Sequence, residues 1–399
     1  MGRLVHGSAG LLALSLLTAC TSSISAADEA RRSMAPDASA TVLPADRSKD
    51  VPTDQAVVVT AHSGTLKNVR VTGTGKEGGL PGVMSADGTR WRSTRTARPG
   101  VTYTVTSVAV NADGKEKQSA TTFSTVKATK LFDIAQITPN KDDTGLTVGV
   151  GMPIMIAFDQ PITDRVSIER NLVVYSSQPV KGAWHWFDDK HVDFRPAEYW
   201  PAHTKVRVEA SLAGVRGGTG LYGKRDVKVD FKIGRSQITK GSINDHVLVV
   251  KRDGRVIRRM PMSAGQGGAW KYHTTSGVHL AMSREPVTVM TSPGIGPGSA
   301  GYYQLTVYNT VRISNSGEYV HSAPWSVGSQ GNSNVSHGCV NVSPENAAWF
   351  IKNTLIGDPI IITGSPRPLE PTNGWGHWQE DWKQWLQWSS IKDGPTMTF

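Results

Sequence analysis

Turn dipeptides recur along the first third of the sequence at intervals too short for long helices. Asp87-Gly88, Pro99-Gly100 and Asp113-Gly114 separate runs rich in Thr and Val, such as Thr102–Val110. β-Branched residues favour strands, and closely spaced turns between such runs are typical of small β-sandwiches. The sequence therefore predicts a mainly β protein, and 399 residues suffice for several domains.

Composition changes divide the chain into segments. Residues 21–50 are mostly small and polar, with few large apolar side chains, and such a composition predicts a flexible tether. Strand-like runs at residues 153–158 and Lys205–Ala210 predict a second sandwich after the first. The predicted segments are a signal peptide (1–20), a tether (21–50), two β-sandwiches (51–129 and 130–235), a third β-rich domain (236–365) and a Trp-rich extension with a short helix (366–399).

The third domain begins with a predicted β-hairpin, in which Asp253-Gly254 joins the runs 247–250 and 256–260. Near its end, Ser343 followed by Pro344 predicts a helix start, because Ser is a favoured N-cap and Pro suits the first helical position.

Five tryptophans follow this domain. Trp378, Trp382 and Trp385 have the spacing of one helical face, and Trp375 and Trp388 flank them. We expect this aromatic ridge to pack on the third domain; the alternative is a sugar-binding stripe.

His185, Asp188, Asp189 and His191 raise the question of a metal site in the second sandwich. No third histidine accompanies them, and on a β-hairpin such residues are usually solvated. We therefore predict no metal.

The first twenty residues predict an export signal. Arg3 and His6 precede an apolar run, and Leu17-Thr18-Ala19-Cys20 resembles a bacterial lipobox. The resemblance implies that Cys20 carries lipid and anchors the protein on the outer side of the cell membrane. The apolar run of about ten residues is short of the ~20 that a membrane-spanning helix needs. An ordinary cleaved signal with a chance cysteine is the alternative.

The net charge of +10 comes from scattered Lys and Arg residues, without the basic run that nucleic-acid binding favours. We predict no nucleic-acid partner. Attraction to an anionic cell wall or membrane fits the pattern better.

Cys20 and Cys339 are the two cysteines of the chain. If Cys20 carries lipid, Cys339 has no disulfide partner, and an unpaired thiol in an oxidising compartment indicates a wanted reactivity. A buried inert thiol is the alternative.

Cys339 lies in the sequence Ser336-His337-Gly338-Cys339-Val340-Asn341, with His321 upstream. A free thiol is only a few per cent ionised near neutral pH, so it needs a neighbouring base such as a histidine. Gly338 would let backbone amides approach a developing oxyanion. The pattern predicts acyl transfer through a thioester.

This sequence resembles the signature of L,D-transpeptidase (YkuD-type) catalytic domains, in which a histidine precedes Ser/Thr-His-Gly-Cys-x-Asn. The resemblance covers about residues 236–364, and the two sandwiches loosely resemble the bacterial immunoglobulin-like domains that precede it in mycobacterial-type relatives. Relatives usually show Thr-Pro-x-Gly where this chain has Thr274-Thr275-Ser276-Gly277. Substrate orientation there is expected to differ.

The resemblance also implies residue roles. His321 would be the base and acid, oriented by the carbonyl of Ser322. Tyr303 would contact the substrate beside residues 291–301, a Gly-rich loop expected to act as a lid. The remaining implied residues are His337, Gly338 and Cys339 around the oxyanion, Ser316 and Gly317 in the donor pocket, Trp325 at its edge, and Asn341 for substrate binding. A purely structural His337 is the favoured alternative to a proton-transfer role.

The implied reaction joins two peptidoglycan peptide stems. Cys339 would attack the carbonyl of the third stem residue and expel D-Ala, and an amine of a second stem would resolve the thioester to a 3→3 cross-link without cofactor or metal. Carbapenem-type inhibitors are expected to react with the same thiol. Two alternatives stay open: an L,D-carboxypeptidase, in which water resolves the thioester, and a non-enzymatic wall-binding lipoprotein.

Overall fold

The computed structural model describes residues 35–75, 78–142, 145–292, 294–392 and 396–398. Strands make up 45% of the structure and helices 8%, which confirms the mainly β prediction. Within the described ranges, no helix is long and apolar enough to cross a membrane. The predicted signal peptide, including Cys20, lies outside them.

The first domain is a sandwich of two four-stranded sheets, with strand orders β1-β3-β6-β5 and β2-β8-β7-β4. Trp91, Tyr103 and Phe123 fill the core between the sheets. The strands are β1 (Ser39–Leu43), β2 (Ser48–Val51), β3 (Val58–His62), β4 (Thr65–Gly73), β5 (Gly82–Met84), β6 (Arg90–Ser93), β7 (Thr102–Val110) and β8 (Glu116–Thr125).

The tether predicted for residues 21–50 is wrong over its second half. β1 pairs antiparallel with β3, and β2 runs parallel to β8. Each lies at the edge of its sheet, where the backbone supplies most of the pairing and few side chains need burial. The low apolar content of this segment therefore led to the prediction of a tether where two edge strands occur.

The second domain contains β9 to β19, and α1 (Arg165–Glu169) packs beside them. Its core is strongly aromatic, with Trp184, Trp186, Phe194 and Trp200 almost fully buried. The strands are β9 (Lys130–Phe132), β10 (Ile134–Thr138), β11 (Thr147–Val148), β12 (Ile154–Phe158), β13 (Leu172–Ser176), β14 (Gly182–Trp186), β15 (His191–Pro196), β16 (Lys205–Ala210), β17 (Arg216–Gly218), β18 (Leu221–Gly223) and β19 (Val227–Ile233).

The third domain has a five-stranded sheet, β22-β21-β20-β28-β23, and a four-stranded sheet, β24-β25-β26-β27. Their strands are β20 (Gln237–Ser242), β21 (Val247–Arg252), β22 (Arg255–Pro261), β23 (Gly277–Leu280), β24 (Ser283–Thr291), β25 (Gln304–Arg312), β26 (Tyr319–Ser322), β27 (Val340–Val342) and β28 (Pro359–Thr363). The predicted hairpin is confirmed as β21 and β22. Helix α2 (Pro344–Asn353) also starts as predicted, since the Asn346 amide donates to Ser343 Oγ at 3.3 Å.

The tryptophans of the extension pack on the second sandwich, not on the third domain as expected. The third domain is contacted by other residues of the extension, such as Asn373, which is hydrogen-bonded to Ser316. Trp385, on α3 (Trp382–Gln387), is fully buried and donates from Nε1 to the Ala183 carbonyl at 2.9 Å. The Arg195 guanidinium lies 4.7 Å from the ring centroids of both Trp378 and Trp385. Farther on, β29 (Thr396–Thr398) pairs in parallel with β13. Packing was the correct reading of the ridge, but the packing partner was wrong.

His185 is buried beneath this extension, so the prediction that it is solvated is wrong. Its ring stacks on Trp385, and Nδ1 lies 3.1 Å from the Trp385 carbonyl. His191 instead pairs with Asp188 at the surface, at 2.7 Å. In the part of the chain that the structure describes, no group of three or more His, Cys, Asp or Glu side chains is placed to hold a metal ion.

Candidate active site

Two neighbouring parallel strands bring Cys339 and His321 to the same cavity. β26 and β27 pair in parallel with His321 opposite Asn341, and Cys339 directly precedes β27. Both side chains line one cavity of about 690 Å³. Every residue predicted for chemistry or substrate binding lines this cavity except Ser322: Tyr303, Ser316, Gly317, His321, Trp325, His337, Gly338, Cys339 and Asn341.

His321 is held as a neutral base. Its ring is buried, and Nδ1 lies 2.9 Å from the Ser322 carbonyl. Because a carbonyl only accepts hydrogen bonds, Nδ1 carries the proton, which leaves Nε2 able to accept one. Burial lowers the pKa of His321 to about 4, against the raising effect of the Ser322 carbonyl. The imidazole is therefore neutral at neutral pH.

Cys339 rests as a thiol. The residue as a whole is partly exposed, and Sγ lies 3.6 Å from the Gly317 carbonyl. Burial raises the pKa of Cys339 to about 12; the Tyr319 amide lowers this pKa and the charge of Glu318 raises it. Since burial shifts both pKa values towards the uncharged forms, the neutral thiol and imidazole are favoured over a thiolate–imidazolium pair. A neutral thiol and a neutral imidazole that line one cavity are the protonation states from which proton transfer during nucleophilic attack would start.

The turn before Cys339 is fixed by hydroxyl groups. Ser336 Oγ accepts from the Gly338 amide at 3.1 Å and donates to the Cys339 carbonyl at 2.6 Å, while Thr274 Oγ1 donates to the Gly338 carbonyl at 2.7 Å. Gly338 has φ +127°, a conformation that side chains disfavour. The Gly338 amide is thus already bonded to Ser336. Gly338 supplies the conformation of the turn.

Aromatic rings form one wall of the cavity. His337 is exposed and packs between Tyr303, whose ring centroid is 5.3 Å away, and Tyr272, at 4.7 Å. Burial raises the pKa of Tyr303, and an ionised Cys339 would raise it further, so the phenol keeps its proton. These contacts favour a structural role for His337 over proton transfer.

Comparison with known proteins places this geometry in a family. Residues 48–216 match the bacterial Ig domain family, and residues 237–362 match the L,D-transpeptidase catalytic domain. L,D-transpeptidase 5 of Mycobacterium tuberculosis is 36% identical over 393 residues, which cover 96% of this chain and 83% of that protein. The chain belongs to the L,D-transpeptidase family.

A second relative and one solved structure are also similar to this chain. L,D-transpeptidase 2 of Mycobacterium tuberculosis is 34% identical and covers 85% of this chain, which spans 82% of that protein. A solved L,D-transpeptidase in complex with imipenem is 39% identical over 58% of this chain and 99% of its own, with a TM-score of 0.49. The predicted family and the order of its domain types, Ig-like then catalytic, are confirmed.

Two further predicted residues of this L,D-transpeptidase lie at the edge of the cavity. Asn341 is buried, and its side-chain amide donates to Ser326 Oγ at 3.0 Å, so part of the amide is used to hold the wall. Trp325 is 57% exposed at the rim, with its ring 6.1 Å from that of His321. Trp325 can therefore contact a ligand without rearrangement.

Sequence reasoning missed three charged residues of the cavity: Lys271, Glu318 and Arg367. Glu318 follows the predicted Ser316-Gly317 directly, so its position offered a signal. Arg367 belongs to the extension, far from the recognised sequence pattern, and gave none. Its Nε is buried without a hydrogen-bond partner among the described residues.

Proposed function

We propose that this L,D-transpeptidase forms 3→3 cross-links between peptidoglycan stems through a thioester on Cys339. The observation that carries the proposal is that Cys339 and a neutral, oriented His321 line one cavity beside the paired strands β26 and β27. The names of its relatives support the reaction class.

In the proposed mechanism, Cys339 Sγ attacks the carbonyl carbon of the third stem residue as its proton passes to His321 Nε2. Collapse of the tetrahedral intermediate breaks the peptide bond, and His321 returns the proton to the departing D-Ala amine. The acceptor amine then attacks the thioester and gives its proton to His321. Sulfur leaves as the new peptide bond forms, and His321 returns the proton to it. The energy of the new peptide bond therefore comes from the peptide bond that was broken in the first step.

The proposal is tested by incubating the purified protein with a tetrapeptide-stem muropeptide and analysing the products by mass spectrometry. A cross-linked dimer with loss of one D-Ala is expected. If tripeptide monomers are the only product, the protein is an L,D-carboxypeptidase. If the substrate is unchanged, the alternative of a non-enzymatic wall-binding lipoprotein is favoured.

The same thiol is proposed to react with carbapenems, since a relative was solved in complex with imipenem. Strained β-lactam carbonyls offer Cys339 an acyl group with no free leaving amine, so the adduct should persist. A mass increase of one imipenem on the wild-type protein is the expected readout.

Arg367 is proposed to bind a carboxylate of the donor stem, since it lines the cavity with a buried, unpartnered Nε. Arg367→Gln should raise KM for the donor roughly tenfold or more, the value of one charge-assisted hydrogen bond, with a smaller change in kcat. Steady-state kinetics measure this effect. Arg255→Gln, on an exposed position of β22, is the matched control. Equal KM values for the wild type, Arg367→Gln and Arg255→Gln would show that Arg367 does not bind the donor.

Lipid anchoring through Cys20 is proposed from the lipobox-like Leu17-Thr18-Ala19-Cys20. Cys20→Ala should move the protein from the membrane fraction to the soluble fraction, as measured by immunoblotting of fractionated cells. Cys339→Ala, which removes the other cysteine, should remain with the membranes. Retention of Cys20→Ala in the membrane fraction would assign attachment to another part of the protein.

A further inference from the structure

One wall of the cavity is the exposed turn that joins β25 to β26. The Ile313 amide donates to the Glu318 carbonyl at 2.9 Å and closes the turn, and Gly317 has φ +90°, a conformation that suits glycine. Ser316 and Gly317 are exposed at its tip, yet both line the cavity. The Gly317 carbonyl is also the acceptor for Cys339 Sγ. An exposed turn is mobile unless another part of the chain holds it.

Asn373, in the Trp-rich extension, holds this turn from outside. The Ser316 amide donates to Asn373 Oδ1 at 2.8 Å, and Asn373 Nδ2 donates to Ser316 Oγ at 3.0 Å. One carboxamide thus bonds both the backbone and the side chain of Ser316, which fixes the position and the orientation of the turn. Asn373 lies 57 residues after Ser316 and outside residues 237–362, which match the catalytic domain family.

Asn373 is itself fixed by its neighbours. Its Nδ2 also donates to Glu370 Oε2 at 3.0 Å, and its backbone amide donates to the Glu370 carbonyl at 2.9 Å. The next residue, Gly374, has φ +92° and lies flat against the turn. A side-chain carbon on Gly374 would be 2.7 Å from Met282 Sδ and 3.2 Å from Ser314 Cα. Glycine therefore allows the extension to approach the turn this closely.

The segment that carries Asn373 is anchored on both sides. Before it, the Leu369 amide donates to the Ser276 carbonyl of the third domain at 2.7 Å. After it, Trp378 Nε1 donates to the Gly151 carbonyl of the second sandwich at 2.8 Å. Asn373 is thus presented by a segment that is already ordered, so it can hold the turn before any ligand binds.

We propose that Asn373 is a positioning residue of the donor pocket, which keeps the Ser316-Gly317 turn in the conformation that binds the donor stem. The inference rests on the proposed function in taking this turn as a wall of the donor site. Without Asn373 the turn would sample other conformations, and the cost of ordering it would be paid when the donor binds. The effect should therefore fall on donor affinity and not on the bond-making step.

Steady-state kinetics with a tetrapeptide-stem donor test this division. Asn373→Ala should raise KM about tenfold, the effect expected if the binding-competent turn falls to about a tenth of the population. kcat should change less, because the bound donor restores the turn. Thr372→Ala, at the exposed neighbouring position, is the matched control and should keep the wild-type KM. A lower kcat at unchanged KM, or no change in either constant, would overturn the proposal.

Hydrogen exchange followed by mass spectrometry examines the turn without any substrate. The Ser316 amide should exchange faster in Asn373→Ala than in the wild type and Thr372→Ala, because its acceptor is lost while the rest of the third domain is unchanged. Equal exchange in the three proteins would overturn the proposal. Faster exchange throughout the third domain with a lower melting temperature would do so too, since it would show general destabilisation.

A conservative double variant separates the two hydrogen bonds of Asn373. Asn373→Asp keeps the oxygen that accepts from the Ser316 amide and loses the donor to Ser316 Oγ, while Glu370→Gln prevents two carboxylates from facing each other. The double variant should have a KM between those of the wild type and Asn373→Ala. A KM as high as that of Asn373→Ala would count against the proposal. Should Asn373→Ala fail to fold, a wild-type KM in the double variant would overturn it.

Failure of this inference is distinguishable from failure of the proposed function. A wild-type protein that gives no acyl-enzyme with the donor would refute the proposed reaction, and exchange of the Ser316 amide would still decide whether Asn373 holds the turn. A wild-type protein that is acylated normally, together with an unchanged KM in Asn373→Ala, would refute the inference alone.

Discussion

Cys339→Ala is expected to abolish acyl-enzyme formation entirely, because Cys339 carries the only thiol among the described residues that line the cavity. Cys339→Ser should retain little activity, since a hydroxyl is a far weaker acid than a thiol and His321 already has a lowered pKa of about 4. Both substitutions are nearly isosteric with cysteine, so folding should be preserved.

Intact-mass spectrometry after incubation with imipenem or a tetrapeptide donor measures this outcome. The wild-type protein should gain one acyl group and Cys339→Ala none, while circular dichroism and the melting temperature verify that both are folded. An adduct on the Cys339→Ala protein would move the nucleophile elsewhere, and the Cys20→Ala protein, which retains Cys339, is the matched control.

His321→Ala is expected to lower the acylation rate by about 10²–10⁴, the usual contribution of a positioned general base. In the proposed mechanism, the ring takes the thiol proton and returns it to the leaving amine, and both steps use Nε2. Because burial lowers the pKa of His321 to about 4, the imidazole is unprotonated above that pH. Activity that depends on this base should therefore fall only as pH drops through about 4 and should persist through neutral pH.

Single-turnover acylation measured by stopped flow between pH 3.5 and 8 tests both statements. The acid limb should be present in the wild type and absent in His321→Ala. His337→Ala is the control, since its ring packs between Tyr272 and Tyr303 and is not expected to carry the proton. A near-normal rate in His321→Ala together with a large loss in His337→Ala would show that His337 is the general base and that His321 is not.

Local signals in the sequence were sufficient for much of this structure. β7 and β16 begin and end at the predicted residues, and the Ser343 N-cap starts α2 as expected. In each case the signal is a short-range preference of the backbone for strand, turn or helix start. The predicted site residues other than Ser322 also line one cavity. Several of them lie on or next to β26 and β27, which pair as neighbours.

Features that depend on distant partners escaped prediction. The edge strands β1 and β2 lie in a polar segment, and only their neighbours β3 and β8 make them strands. Glu318 accepts a hydrogen bond from Thr275, which lies 43 residues earlier in the sequence, so its surroundings could not be predicted from its neighbours in the chain. His185 was predicted to be solvated from its place on a hairpin, but the ring of Trp385 from the extension stacks on it. Such facts depend on tertiary contacts, which a local pattern does not encode.

The return of the extension to the second sandwich sets an order of assembly. β29 pairs with β13, and the buried Trp385 completes the cover over β14, yet both follow the third domain in the sequence. Pairings between residues so distant in sequence form late, because a long loop must close first. During synthesis, the second sandwich therefore remains unfinished until the entire third domain has been made. The third domain is in effect inserted into a fold that begins before it and closes after it.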